Sequence, residues 1–367
     1  MLERRPLKIA IVGHSLHGGG AEYVTRLWAD ALVERGHSVS FIATDTAVER
    51  EWVANSVGVS TVARQGDVVR HGQRVLRLRR AVRRGGYDVC LGMQTYPSLV
   101  LLIAVLVARS STRVVVSERS IPSILLRREG RAKRIQMLLA GILYRRADAA
   151  VAISHPVAAD LVARFRVSPE RIFVVPNPAA AKRRTDAGPK AQNGGTGIVL
   201  VVPARMVRAK RPLLVLQTAQ ELARRGRDVQ VLFFGDGPLR GEIAEAAKEL
   251  AVSVIFRGWV EDWVEQLPPS AVVVLSSYCE GFGNVLVEAA AAGVPSVAVS
   301  SALGVADAIV PGITGQLALT SRPEALATAV QDAALLDVAR VDDWLRRFSV
   351  QSSVDALETA LSSTAAD

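Results

Sequence analysis

The chain predicts an α/β protein built from two facing, Rossmann-like doubly wound domains, and three observations carry that reading. Its 367 residues exceed what one compact core organises comfortably and suit two. Short β-branched runs alternate with longer helical patterns, the mark of parallel strands covered by helices on both faces. After a stretch without periodicity the same rhythm starts afresh, so the architecture is repeated although the sequence is not.

In the first half the strand candidates are 8–12, 38–43, 87–91, 113–116, 149–153 and 171–175, with helices between them such as 21–35. The longest apolar run, 99–108, is about half of the roughly 20 residues a spanning helix needs, and it reads as a buried helix. Residues 179–197 follow Val175-Pro176-Asn177-Pro178 and are rich in Ala, Lys and Gly, which suits a linker. The second half offers strands 198–202, 229–233, 253–256, 271–275 and 295–299 and helices 212–225 and 239–250. Domains are therefore expected over 1–178 and 198–345, with a helical tail over 344–361. Two such domains place a ligand cleft between the carboxyl ends of their strands.

Half of the residues are apolar and 22% are charged, which excludes a disordered chain. Cys90 and Cys279 are too few for a disulfide framework or a zinc site, and both read as small core residues in a reducing compartment. The first residues lack an apolar stretch with a cleavage site, so a cytoplasmic protein is expected. The net charge of +10 is uneven. Arg64, Arg70, Arg74, Arg77, Arg79, Arg80, Arg83 and Arg84 form one basic stretch, and Arg127, Arg128, Arg131, Lys133 and Arg134 form another. Such a field attracts nucleic acid, an anionic bilayer or a phosphorylated ligand. Without interleaved aromatic residues or a nucleic-acid module, a peripheral membrane contact or a pyrophosphate ligand ranks above nucleic acid. Solvated helix faces fit the same pattern.

Three motifs carry chemistry. In the run from Gly13 and His14 to His17, Gly18, Gly19, Gly20, Ala21 and Glu22, a buried strand enters a glycine loop that opens a helix, where backbone N–H groups can meet an anion. Its spacing is not that of the dinucleotide fingerprint. After the first strand of the second half stand Arg205 and Lys210, a planar fork and a mobile point charge able to hold a diphosphate. Finally, Glu280-Gly281-Phe282-Gly283-Asn284 and Glu288 put one carboxylate in a loop at a strand end and a second on the following helix. The helix N-terminal amides stand between them.

These motifs occur in a fixed order, together with Ala152-Ile153-Ser154-His155, Val175-Pro176-Asn177 and Gly235-Asp236-Gly237-Pro238. In that order the chain resembles, over nearly its whole length, the retaining glycosyltransferases of GT-B architecture known as family 4. The resemblance implies a nucleotide-sugar donor, UDP-linked in this reading, and a hydroxyl acceptor that is lipid-linked or a small molecule. It implies that Arg205 and Lys210 neutralise the donor diphosphate and act with Glu280 in catalysis. Gly19, Gly20, Gly235, Gly281, Phe282, Gly283 and Asn284 would line the donor, and Glu288 would hold its ribose. No cofactor and no metal ion are implied, since the nucleotide sugar is itself a substrate and the chain has no Asp-x-Asp motif. His14, His17, Glu22, Glu118 and Arg119 are the acceptor-side candidates. The tail would brace the first domain, and any membrane contact would be peripheral, at the inner face. The competing readings are a nucleotide-sugar epimerase or hydrolase on the same fold and a non-catalytic partner-binding scaffold.

The chain departs from the family pattern in three places. Glu118 and Arg119 stand where many members carry a histidine near the acceptor, and the Ser117-Glu118-Arg119 string is similar to the branch that transfers N-acetylhexosamines. Glu118 there fits either an acceptor hydroxyl or a salt bridge with an arginine. Asp307 replaces a more usual glutamate in the Gly304–Ile309 segment, and Ala204 and Arg211 replace common glycines around the Arg-Lys pair.

Overall fold

In the computed structural model, which describes residues 5–16, 20–45, 57–62, 71–128, 130–181, 197–338 and 341–363, the chain divides into two units. One is Met1–Pro178 with Val350–Asp367, the other Ala179–Ser349. The part of the expected linker over 182–196 lies outside the described residues, and Ala179–Ala181 closes as a short 3-10 turn.

The first unit runs β1 (Lys8–Gly13), α1 (Gly20–Glu34), β2 (Ser38–Ala43), β3 (Gly58–Thr61), α2 (His71–Gly85), β4 (Val89–Met93), α3 (Thr95–Ala108), β5 (Arg113–Glu118), α4 (Pro122–Arg128), α5 (Arg131–Leu143), β6 (Ala149–Ala152), α6 (His155–Phe165) and β7 (Ile172–Val174). Its sheet has the order β3-β2-β1-β4-β5-β6-β7, with parallel pairing from edge to edge. Ile9, Ala10, Ile11 and Val12 are all fully buried, because a central parallel strand is covered on both faces and needs a continuous apolar run. Edge strand β3, exposed at Gly58, Ser60 and Thr61, has no such run and escapes a reading by hydrophobicity. The apolar run 99–108 lies in α3, buried for most of its length, with Leu106 and Val107 exposed near its end.

The second unit runs β8 (Gly197–Pro203), α7 (Pro212–Arg224), β9 (Asp228–Phe234), α8 (Arg240–Glu249), β10 (Ser253–Gly258), β11 (Ala271–Leu275), α9 (Asn284–Ala291), β12 (Ser296–Val299), β13 (Gly315–Ala318), α10 (Pro323–Ala334) and α11 (Asp342–Arg346). Its sheet order is β10-β9-β8-β11-β12-β13, again parallel throughout. Short β13, with Gly and Gln among its four residues, is the other strand that the pattern alone does not reveal. In each sheet the chain winds outward from one central strand and then reverses, between β1 and β4 in the first and between β8 and β11 in the second.

The tail differs from the single helix expected over 344–361. It breaks where Phe348, almost fully buried, packs against Phe282 at 5.4 Å and Trp344 at 4.8 Å between ring centroids. Beyond the break, α12 (Val350–Ser362) belongs to the first unit, where Val354, Leu357, Ala360 and Leu361 share a core with Trp28 and β1. The buried Trp28 Nε1 donates to Ser353 Oγ at 2.9 Å, and that hydroxyl donates to the Pro176 carbonyl at 2.6 Å. Arg35 and His37 both reach Glu358, at 2.6 and 3.0 Å. Ser353→Ala therefore strips a buried donor and an acceptor of their common partner. The expected loss is about 1–3 kcal/mol of stability in the first unit, the usual size for an unsatisfied buried group, read from urea unfolding; an unchanged midpoint would show the relay to be idle.

Candidate active site

An open parallel sheet binds ligands at the carboxyl ends of the strands where its winding reverses, because the covering helices diverge there and leave a crevice. In the second unit that point is the carboxyl edge of β8 and β11. The loops leaving those two strands carry Arg205, Lys210 and Glu280.

Backbone contacts fix the first loop. Met206 N–H donates to the Asp236 carbonyl at 2.9 Å, and Leu239 N–H donates to the Met206 carbonyl at 3.1 Å. The loop after β9 can lie this close only because Gly235 has no side chain: a Cβ there would stand 2.4 Å from the Ala204 carbonyl oxygen, and its φ is +133°. Gly235, expected among the donor-lining residues, thus acts visibly as the close-packing point that sets the Arg205 loop. The loop after β11 grips the same segment from the other side. Ser276 Oγ donates to the Lys210 and Arg211 carbonyls at 2.7 and 3.1 Å, and Tyr278 N–H donates to the Ala209 carbonyl at 3.2 Å. Arg211 adopts φ +48°, which explains why a glycine is common there; its guanidinium rests over Tyr278 and bonds Ser321 at 2.6 Å.

Held in this way, Lys210 Nζ meets Glu280 Oε1 at 2.5 Å, both side chains being largely covered. Glu280 is itself pinned through its backbone, with its N–H on the Ala302 carbonyl at 3.0 Å and its carbonyl accepting from Gly304 N–H at 3.2 Å. A Cβ on Gly304 would stand 2.4 Å from that carbonyl oxygen. Arg205 is exposed and free to turn toward an anion. Gly281 is buried, the Phe282 side chain points into the core, and Gly283 at φ +105° starts α9 with Asn284 as its first helical residue. Gly283 and Asn284 are half-buried, so this end of α9 brings N–H groups of a helix N-terminus close to the strand edge. Glu288, one turn on, accepts from Trp263 Nε1 at 2.8 Å. That tryptophan, buried against Phe234, was not legible as a site residue, since nothing in its local pattern points at a carboxylate twenty-five positions away. Cys279 is partly exposed beside Glu280 and is not the core residue expected, while Cys90 is buried and its thiol is pushed up to about 12 by burial.

The first unit answers differently at Glu118. This carboxyl is buried at the end of β5 and accepts from Thr95 Oγ1 at 3.1 Å and from the Tyr144 hydroxyl. Both oxygens turn into the core, and among the described residues the carboxyl forms no ion pair with an arginine. Burial pushes Glu118 up to about 7 against the pull of those two hydrogen bonds. Arg119 lies over the Trp28 ring at 4.7 Å, and its guanidinium nitrogens have no hydrogen-bond partner among the described residues; burial holds it down to about 9, still protonated near neutrality. Glu22 sits in the first turn of α1, close enough to Arg119 to favour its charge. Gly20 opens that helix, whereas His17 and Gly19 lie outside the described residues. His14 follows β1 and stacks on Tyr96 with centroids 5.6 Å apart. Among the described residues no group of three or more His, Cys, Asp or Glu side chains could hold a metal ion.

Residues 18–183 match the family described as Glycosyltransferase Family 4, and residues 197–335 match Glycosyl transferases group 1. A curated relative is the N-acetylgalactosamine-N,N'-diacetylbacillosaminyl-diphospho-undecaprenol 4-alpha-N-acetylgalactosaminyltransferase of Campylobacter jejuni, 25% identical over 221 residues that cover 59% of this chain and 58% of the relative. The chain spans about half the length of the curated relatives it matches. Among solved structures, the lipopolysaccharide outer core galactosyltransferase WaaB has a TM-score of 0.78 at 19% identity, over 97% of this chain and 99% of that one. Anabaena Alr3699/HepE in complex with UDP and glucose has a TM-score of 0.74 at 21% identity, over 97% and 100%. At these identities both structures speak for the fold.

The buried Glu118 makes a pH prediction. A carboxyl whose folded pKa is raised, here from 4.5 to about 7, contributes stability that is whole below the unfolded pKa and is lost as pH rises through the folded one. Wild type should therefore lose stability relative to Glu118→Gln between those two values, by a few kcal/mol at the standard cost per pKa unit. Chemical denaturation at stepped pH reads it, and a difference that stays flat with pH would show that the carboxyl is not neutral in the fold.

Proposed function

The chain belongs to the family 4, group 1 glycosyltransferases, and from that premise we propose that it moves a hexose or N-acetylhexosamine from a nucleoside diphosphate, UDP in our reading, to an acceptor hydroxyl. Transfer retains the anomeric configuration and uses neither metal ion nor further cofactor. The observation that carries this reading is the Lys210–Glu280 pair, held at the reversal point of the second sheet, with the exposed Arg205 on the same loop as Lys210. Two cations at a strand edge stabilise charge developing on a leaving diphosphate, while Glu280 keeps the ammonium in place and presents its second oxygen to sugar hydroxyls. The N-terminus of α9 at Gly283 and Asn284 adds N–H donors, and Glu288, oriented by Trp263, takes the ribose. The UDP and glucose held by HepE support the donor class. The diphospho-undecaprenol in the name of the Campylobacter relative supports a lipid-linked acceptor.

For such an acceptor the protein needs a bilayer surface, and α5 supports a peripheral one. Ile135, Leu138, Leu139 and Ile142 are all exposed at the spacing of one helix face, beside the exposed Arg131 and Arg134. Behind them α4, α5 and α6 leave a groove of about 730 Å³ lined by Ile124, Met137, Leu138, Phe165, Arg134 and Arg164. An apolar stripe with a basic border is what an anionic interface attracts. No helix of the described residues is long and apolar enough to cross a membrane.

Incubating the protein with a panel of nucleotide sugars, with and without extracted acceptors, and following nucleotide release with product mass tests the reaction. Release should require an acceptor and be fastest with a UDP sugar. Arg205→Ala, Lys210→Ala and Glu280→Gln should each lower kcat/KM by about 100-fold, as for loss of one preorganised charge-stabilising group; unchanged transfer in all three would sink the site. Trp263→Phe should raise the donor KM with kcat nearly constant. In vesicle flotation the chain should bind anionic but not neutral lipid. Leu138→Asp with Ile142→Asp should abolish that binding, and equal binding by the variant would exclude α5.

A further inference from the structure

Arg211 stands where a glycine is common, and no step of the proposed transfer uses it. Its backbone holds φ +48° and ψ +52°, a left-handed conformation that an L side chain enters at a cost. Glycine would hold it without strain, so the side chain is the feature to explain. The guanidinium lies 5.7 Å from the Tyr278 ring centre and donates an Nη1 hydrogen to Ser321 Oγ at 2.6 Å. One planar group thus ties the turn after β8 to the loops after β11 and β13. In the sheet β11 and β12 separate β8 from β13, so no strand ladder joins the two outer corners, and a long side chain can.

These contacts close a circuit on the carboxyl edge of the second sheet. Ala302 and Gly304, in the loop after β12, hold the Glu280 N–H and carbonyl. Ser300 of that loop donates from Oγ to the Leu319 carbonyl at 3.3 Å, in the loop after β13. Two residues on, Ser321 receives Arg211. Arg211 follows Lys210, whose ammonium returns to Glu280 at 2.5 Å. Consecutive residues of one turn therefore grip alternate residues of another loop, Lys210 on Glu280 and Arg211 on Tyr278. Leu303, at φ +57° and ψ −66°, lies in the same circuit and pairs with Glu280 through the backbone. Strained non-glycine residues persist where the surrounding structure over-determines them, and they gather at ligand sites. Two such residues flank this one ion pair.

We infer that Arg211 is a positioning residue of the donor site. Its guanidinium locks the Lys210 turn against the loops after β11 and β13 and so presets the Lys210–Glu280 pair before a donor arrives. The inference rests on the proposed donor role of that pair, and Arg211 acts through Lys210 rather than on the ligand. An ammonium already in place loses less freedom when a diphosphate binds, so the gain falls on donor affinity more than on the chemical step.

The probe is UDP, titrated calorimetrically into full-length protein at fixed salt. Arg211→Asn is the main variant, because asparagine tolerates the left-handed backbone and is too short to span to Tyr278 and Ser321. It should weaken UDP binding about tenfold, the size of ordering one or two side chains on binding. Ser321→Ala leaves every charge in place and should weaken binding less. Added to Arg211→Asn it should have no further effect, since both changes break one contact. Arg211→Lys, which keeps the reach and loses the fork, should recover part of the loss. In the nucleotide-release assay Arg211→Asn should raise the donor KM about tenfold and leave kcat within about twofold, the pattern of lost binding without lost chemistry. Hydrogen exchange of the ligand-free protein reads the lock directly: the amides of 276–282, which include the bonded Tyr278 and Glu280 N–H groups, should exchange faster in Arg211→Asn. Melting temperatures confirm folding. Wild-type UDP affinity in Arg211→Asn or Ser321→Ala, a further loss in the double variant, or unchanged exchange overturns the inference. If wild type fails to bind UDP, the donor reading falls instead, and the exchange measurement alone then decides whether the lock exists.

Discussion

A parallel sheet that winds out from its centre and then reverses must leave a crevice at one edge, and both units of this protein are organised by that constraint. Neighbouring strands β8 and β11 send their chains toward opposite faces, as do β1 and β4. Helices cover the rest of each sheet, so polar side chains that need solvent or a ligand have few other places to stand. The residues with chemistry collect at these two edges for that reason: Arg205, Lys210 and Glu280 at one, His14, Tyr96 and Glu118 near the other.

A crevice alone does not hold charges in position. In the second unit this is done by backbone packed on backbone. Gly235 and Gly304 let neighbouring loops approach to distances that any Cβ would forbid, and Ser276 ties two carbonyls of the Lys210 turn to the end of β11. The resulting Lys210–Glu280 pair is largely covered. Each charge is then costly to leave alone, because a partly buried ion without its partner has lost water and gained nothing. On the function proposed here, an arriving diphosphate would meet a cation that is already placed and need not be ordered from solvent.

The first unit shows the opposite use of an acid and a base. Glu118 and Arg119 occupy adjacent positions at the end of β5, yet they turn away from each other, one onto Thr95 and Tyr144 and the other onto Trp28. Both are buried enough to be pushed toward their neutral forms. They tie β5 to the helices around it: α3 and the turn at Tyr144 through the carboxyl, α1 through the guanidinium. Trp28 in turn bonds Ser353 of α12, so the tail, the glycine loop helix and the end of β5 form one packed unit.

By itself the sequence determined the two doubly wound sheets, because central parallel strands demand unbroken apolar runs such as 9–12 and 271–275 that period and length expose directly. It also placed Arg205, Lys210 and Glu280 in loops at the carboxyl ends of such strands and Glu288 on the helix that follows, while the donor role we propose for them comes from the family resemblance. Tertiary structure decided what lies off the pattern. Edge strands β3 and β13 are short and half polar, so only their hydrogen bonds to a neighbour define them. Trp263 and Arg211 reach their partners across long stretches of chain, and no local spacing encodes such a contact. Glu118 looked available in sequence; which way its carboxyl turned depended on Tyr144 and Thr95 offering two hydroxyls inside the core, a choice made by packing.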